Sequence, residues 1–257
     1  MTLGLALRAY EFWLTAYRRT WRGTVVTSVV NPVFYLGALG VGLGTLVNKS
    51  ATTPGGVEYL AFVAPGVLAA TAMQIGTVEA SWPVLGSIKW TRSYFAMLAT
   101  PLDVRDIVVG HQLWMATRVV TSSAVYLAVI AAFGGIHSAL AVLALPVCLL
   151  IGSAFSAPMA AYAATRESDS AFTAVFRFAV VPMFLFSGTF FPISRLPVPL
   201  EQIAYVTPLW HGVDMCRGLT LGTIGWAAAL GHAAYLLAWA AVGLFAAQRT
   251  YSRRLMR

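Results

Sequence analysis

Charge is scarce in this sequence. Of its 257 residues 10% are charged and 59% are hydrophobic, and mean hydropathy is +0.75. A soluble domain carries about a quarter charged residues and about half apolar ones, so a soluble globular protein is excluded. Lysine is nearly absent. Only Lys49 and Lys89 occur, neither after a glycine-rich turn, which excludes a Gly-x-x-x-x-Gly-Lys phosphate loop and ATP hydrolysis by that route. Two cysteines, Cys148 and Cys216, cannot form a disulfide framework or a cysteine-rich metal site. The histidines, His111, His137, His211 and His232, lack metal-ligand spacing. No paired carboxylates interrupt an apolar run, as they do in many ion-coupled carriers. Any uphill transport therefore needs energy from another subunit.

What is abundant is long apolar sequence. Charge-free runs cover residues 23–48, 59–78, 119–165, 178–194 and 218–248. A helix needs about 20 residues to cross about 30 Å of hydrocarbon. The run 119–165 is too long for one crossing and is broken by the turn-like cluster Gly134, Gly135, Ile136, His137 and Ser138. The reading is six spans at residues 24–47, 59–79, 118–134, 139–164, 177–189 (running on toward 191) and 224–248. The runs are continuous rather than alternating, which argues against a β-barrel. The fold class expected is all-α, a polytopic membrane protein with a single six-helix domain over residues 24–257.

The formal charge of +8 is distributed unevenly. One set of loops carries Arg8, Arg18, Arg19, Arg22, Lys89, Arg92, Arg105, Arg166, Arg249, Arg253, Arg254 and Arg257; the other carries Lys49, Arg195 and Arg217. By the positive-inside rule both termini are cytoplasmic, in a multi-pass protein of the inner (plasma) membrane. The basic excess is thus an orientation signal, and no nucleic-acid partner is expected. No cleavable signal peptide is evident. Residues 1–23 are basic, aromatic and amphipathic, which suits a helix in the inner interface or a solvated N-terminal helix that serves only to orient the chain.

Glu79, Arg118 and Arg177 adjoin the second, third and fifth spans at their inner ends. They either anchor at the headgroups or form an ion-pair cluster, with Glu79 joined to Arg118 or Arg177. Two connections are unusual. In residues 81–111, Pro83 and Pro101 bracket a helix-capable segment whose Trp90, Tyr94, Met97 and Leu98 share one helical face. Asp103 can cap the helix that begins near Val104. In residues 187–222, apolar sequence is interrupted by Pro192, Pro197, Pro199 and Pro208. That pattern implies two short helices in an outer re-entrant segment, about 190–221, forming a lid before the last span.

Four motifs occur in order: Phe-Val-Ala-Pro-Gly at 62–66, Ala-Thr-Pro-Leu at 99–102, Phe-Ser-Gly-Thr-Phe-Phe-Pro at 186–192, and Pro-Leu-Trp-His-Gly-Val-Asp at 208–214 followed by Arg217 and Gly218. On six spans they resemble the type-2 ABC exporter permease family, within it the NodJ-like lipo-oligosaccharide and daunorubicin-type drug exporters. The resemblance implies a half-transporter in which a cytosolic nucleotide-binding ATPase subunit binds ATP and Mg, while this chain binds no cofactor. It implies a second permease subunit, a homodimer ahead of a heterodimer, with membrane lipids around it. It further implies a coupling helix at about 88–101 with Trp90, Tyr94, Leu98 and Pro101 toward the ATPase. The dimer seam and substrate pathway would place Asn31, Pro32, Phe34 and Tyr35 opposite Phe184 and Phe186, with an outer gate at Phe190 and Phe191. Gly37, Gly40, Gly42 and Gly44 in the first span would allow close helix approach.

The implied function is ATP-driven export of an amphipathic lipid, glycolipid or hydrophobic drug, with no catalysis in this chain. The alternatives are a sensory or regulatory permease-like subunit, or a membrane enzyme acting on a lipid-linked substrate through the outer residues Glu201, His211 and Asp214.

Overall fold

The computed structural model describes residues 3–49 and 56–256. Arg257 of the basic set and residues 1 and 2 of the N-terminal segment lie outside the described residues. Among the described residues the chain is helices and turns, with no strand. The helices are α1 (Leu3–Tyr17), α2 (Trp21–Val47), α3 (Tyr59–Glu79), α4 (Trp82–Lys89), α5 (Ser93–Leu98), α6 (Val104–Ala132), α7 (Ala139–Ala163), α8 (Ser170–Phe186), α9 (Val198–Val206), α10 (Pro208–Leu221) and α11 (Trp226–Leu255). Five of them, α2, α3 (continued by α4), α6, α7 and α11, are long and apolar enough to cross a membrane, and α8 is a shorter apolar helix. The molecule is an all-α, multi-pass membrane protein.

α3 forms the centre. It is apolar on every side and rich in alanine, so it has no face to give to water. α6, α7 and α10 pack around it, and α11 covers α7 in the most extensive helix pairing. The core around α3 includes Val63, Leu68, Met73, Tyr126, Ile151 and Leu209. A second core at the end carrying both termini is built from Val84, Tyr94, Ile107, Met115, Phe172 and Tyr251. This end also carries most of the arginines and is called the basic end.

Three elements differ from the sequence expectation. The third span starts at Val104 rather than near 118, so Arg118 lies mid-helix. Counting charge-free residues measures only the hydrocarbon-compatible part. The helix itself is begun by Asp103 as its N-cap, and the Asp106 carboxylate accepts the Asp103 N–H at 3.1 Å. At 29 residues α6 is about 44 Å long, so it extends well beyond one bilayer core. The segment 88–101 is not one helix: α4 ends at Lys89, the chain turns at Trp90–Arg92, and α5 begins at Ser93. Pro83 stands in the first turn of α4, where its missing N–H costs no helical hydrogen bond. Finally, α1 is packed on its own chain. A Cβ at Gly110 of α6 would meet the Ala6 carbonyl at 2.6 Å, and Ala6 and Ala9 are buried in that crossing. Opposite the basic end, α9 and α10 form the expected pair of short helices. They divide at Thr207, whose hydroxyl accepts the Trp210 N–H at 3.4 Å.

Candidate functional site

Between α2, α3 and α6 lies a cavity of about 280 Å³ lined by apolar side chains, Ile75 and Val78 of α3 among them, with polar groups set between them. α2 contributes Thr24, Ser28, Asn31, Pro32 and Tyr35, α3 contributes Thr71, Gln74 and Glu79, and α6 contributes Arg118, Ser122 and Tyr126. One end is closed by the pair Arg118–Glu79, Nε to Oε1 at 3.1 Å, both side chains largely buried. The guanidinium also donates to the Tyr17 hydroxyl at 3.0 Å and lies 4.8 Å from that ring's centre. α1 thereby reaches the floor of the cavity. A charge in a span is costly unless paired and hydrogen-bonded, and these three groups supply both conditions. Ser28 and Ser122 join α2 to α6 at 3.3 Å. The buried Tyr126 hydroxyl has no hydrogen-bond partner among the described residues. The cavity thus carries amide and hydroxyl groups within a largely apolar lining, and its one cation and one anion neutralise each other. Arg177 is on an exposed face of α8 and has no ion pair among the described residues.

Beside the cavity, the outward face of α2 is aromatic and apolar. Phe34 is 73% exposed, with Tyr35, Val30 and Val33 also exposed. On α8, Phe186 is exposed and Phe184 is half-buried, 5.0 Å edge-to-face from Phe190. Among the described residues, α2 and α8 make no extensive contact with each other. Both contain wide π-helical turns, Gly37–Leu43 and Phe176–Val180, a feature frequent at functional positions. At the first of these, a Cβ on Gly40 would strike the Leu60 side chain at 2.4 Å.

At the end opposite the basic one, Phe190 and Phe191 are half-buried in the loop after α8. Arg217 of α10 clamps that loop. It donates to the carbonyls of Gly188 at 2.7 Å and Phe62 at 3.0 Å, and its guanidinium stacks 3.8 Å from the Phe62 ring centre. Gly66 makes this possible: a Cβ there would sit 2.8 Å from the Thr189 oxygen and 3.1 Å from the guanidinium. Two of the sequence motifs, 62–66 and 186–192, are therefore the two sides of one contact. The outer polar cluster differs from the expected one. His211 Nδ1 lies 2.7 Å from His232 Nδ1, and His232 Nε2 lies 3.3 Å from Asp214. Tyr235 stacks on His211 at 3.9 Å. His232 of α11 joins the cluster, and Glu201 makes no hydrogen bond or ion pair in it.

At the basic end the expected coupling residues divide. Trp90 is 64% exposed in the turn between α4 and α5, and Pro101 is exposed, while Leu98 is partly buried. Tyr94 is 0% exposed. Its hydroxyl bonds to His111 Nδ1 and lies 3.4 Å from that of Tyr251, and Trp13 stacks on His111 at 3.9 Å. This cluster ties α1, α5, α6 and α11 together. Trp13, His111 and Tyr251 are far apart in the chain, and no sequence pattern links them.

A family model described as ABC-2 type transporter matches residues 6–221. The chain is similar to Nodulation protein J of Rhizobium leguminosarum bv. viciae, 35% identical over 217 residues, which is 82% of each chain. It is similar also to Nodulation protein J of Rhizobium meliloti (strain 1021), 30% identical over 251 residues and covering 95% of this chain and 94% of the relative. The Bradyrhizobium diazoefficiens protein of that name is 30% identical over 253 residues, with the same coverage.

Proposed function

The chain belongs to the ABC-2 type transporter family, a transmembrane subunit of an ABC transporter rather than an enzyme, and from that premise we propose that it exports an amphipathic molecule. The cargo classes are lipid, glycolipid and hydrophobic drug. The observation that carries this reading is a cavity with amide and hydroxyl groups in an otherwise apolar lining, beside an exposed aromatic face on α2. Amide and hydroxyl groups there can hold a polar headgroup, and Phe34 and Tyr35 can accompany an apolar tail without a fixed hydrogen-bond pattern.

The family implies a partner ATPase subunit. In the proposed mechanism ATP and Mg bind there, and this chain supplies the pathway. The basic end faces the cytoplasm of the inner membrane, consistent with its arginines. A second copy of the chain completes the pathway, with α2 of one subunit opposite α8 of the other. Closure of the ATPases acts on α4 and α5 through Trp90. It passes through the Tyr94–His111–Tyr251 cluster and α1 to the Arg118–Glu79 floor, and the loop with Phe190 and Phe191 opens outward.

A photo-reactive amino acid at Tyr35 tests the pathway. In membranes with the ATPase and ATP, mass spectrometry should find amphipathic adducts whose yield changes on ATP hydrolysis. Absence of adducts at Tyr35, with abundant adducts at the lipid-exposed Leu230, would refute it.

A further inference from the structure

α8 is fastened to the bundle at its start by a group of rings. Trp82 packs edge-on against Phe172 at 5.5 Å and tilted against Phe176 at 5.3 Å, and Tyr162 lies 6.5 Å from Phe172. Among the described residues α8 makes no extensive contact with α3 or α7. A slot of about 220 Å³ lies between them. Thr77 of α3, Phe155 and Met159 of α7, and Val175, Ala179 and Met183 of α8 line it. The Thr77 hydroxyl donates to the Met73 carbonyl at 2.8 Å, so it needs no partner in the slot. Phe155, Val175, Ala179 and Met183 are half-buried, so the slot can be reached from the surface.

An apolar space of this size stays dry and takes an apolar guest. Left empty, the side chains that face it lose dispersion contacts on one side. The wide π-helical turn Phe176–Val180 contributes Ala179 and Val180 to the lining. Departures from the α-helix of this kind are frequent at functional positions.

The slot has a cation beside one end. Tyr162 is its last lining residue along α7, and the Arg166 guanidinium stacks 4.4 Å from that ring's centre. Arg166 is half-buried, and its Nε donates to the Thr165 hydroxyl at 3.0 Å. It has no carboxylate within ion-pair distance among the described residues. The neighbouring Glu167 is held instead by Lys89 and Arg254, and Asp169 makes no ion pair. Stacking fixes the plane of the guanidinium, and its free donors suit the oxygens of a phosphate.

We propose that the slot holds one acyl chain of an anionic phospholipid, with the phosphate on Arg166, as a resident ligand that sets the spacing of α8 from α3 and α7. An apolar tail and an anionic head match the two parts of the site at once. A choline beside the phosphate would oppose the cation, so the site favours an anionic head over a zwitterionic one. The lipid site goes beyond the transport reading. Only its consequence for transport rests on that reading, since α8 belongs to the proposed seam.

The test uses the full chain in phosphatidylcholine nanodiscs. The probes are phosphatidylglycerol and phosphatidylcholine, each with a diazirine on one acyl chain. With no ATPase or ATP present, mass spectrometry should place phosphatidylglycerol adducts in peptides that contain residues 155–162 and 175–183, with fewer from phosphatidylcholine. R166Q should lower the phosphatidylglycerol yield about tenfold, as expected for loss of a charge-assisted hydrogen bond, and abolish the preference between heads. R166K should recover most of that yield, which a merely structural arginine would not predict. A179F should fill the slot and remove adducts of both probes without lowering the melting temperature. If A179F melts below the wild type, the smaller A179L serves the same purpose. Hydrogen exchange over residues 176–186 should slow when phosphatidylglycerol is added to the wild type, and not in R166Q.

Equal phosphatidylglycerol yields from R166Q and wild type would overturn the proposal, as would adducts confined to other helices or adducts unchanged by filling the slot. Variants that change only self-association of the chain would assign the slot to a second copy instead. Adducts that require the ATPase and ATP would make the lipid a passing cargo rather than a resident one. None of these outcomes decides the Tyr35 test of the pathway, so the two readings can fail separately.

Discussion

At the scale of single residues, Arg118 shows what an ionic group inside a span requires. Its charge is paired with Glu79 through Nε, and its Nη1 donates to the Tyr17 hydroxyl. Removing one partner leaves the other buried and unpaired, which costs about 3 kcal/mol or more, whereas replacing both together costs less. A double-mutant cycle with Glu79→Gln and Arg118→Met should therefore give a coupling of about 2 kcal/mol when unfolding is followed in mixed micelles. Additivity of the two single effects would show that the pair contributes nothing. The chain itself marks Glu79 and Arg118 as special, because each interrupts apolar sequence. It does not mark Tyr17, which arrives only when α1 folds back along α6. Gly66 is a similar case. Its neighbour is the Thr189 carbonyl, and Gly66→Ala should destabilise the outer contact by about 1–3 kcal/mol through overpacking. Faster hydrogen exchange across residues 187–192 would report that loss.

At the scale of elements, α4 and α5 separate residues that helical spacing alone places together. Trp90 and Tyr94 share a face only if one helix runs through both. The turn at Arg92 sends Trp90 outward and Tyr94 into the basic-end core. Tyr94→Ala should therefore cost about 3–5 kcal/mol of stability, as expected for emptying a buried aromatic site. Trp90→Ala should leave stability within about 0.5 kcal/mol, as an exposed substitution does, while lowering ATPase stimulation in the assembled transporter. Equal thermal stability of the two variants would contradict the packing.

The pairing of α10 with α11 adds a pH dependence. Burial first, and then His232, lower the His211 pKa from its ordinary 6.5. A folded-state pKa below the unfolded one means full stability above about 6.5 and progressive loss as pH falls toward the folded value. Between pH 7.5 and 5.5 the α9–α10 hairpin, held by His211, His232, Asp214 and Tyr235, should loosen. Hydrogen exchange over residues 198–221, corrected for intrinsic rates, should show this in the wild type and much less in His211→Asn. An unchanged response in the variant would assign the loosening to another group.

At the scale of the whole molecule, the two ends are held by different means. The basic end has its own apolar core. The opposite end is held by a clamp of carbonyl acceptors and imidazoles around Arg217 and His211. Between them the exposed aromatic face of α2 awaits a partner in the proposed assembly. Phe34→Lys should leave the monomer folded, since that side chain is 73% exposed, and should abolish the proposed dimer in native mass spectrometry. Persistence of the dimer would move the seam away from α2.

The sequence by itself determined the class of the molecule. Apolar runs of spanning length, few charges and their one-sided placement leave no other solvent than lipid for most of the surface. Local chemistry placed Asp103 at the start of α6 and the prolines that divide the outer hairpin. Only the tertiary structure decided which polar groups meet. The Arg118–Glu79–Tyr17 floor, the Tyr94–His111–Tyr251 cluster and the His211–His232 bond each join residues from separate helices. Hydrophobic periodicity specifies which residues avoid water, but not which helix faces which, because apolar surfaces attract without direction. The helix crossings that bring these groups together depend on packing at small residues such as Gly66 and Gly110, where the backbones of distant segments touch.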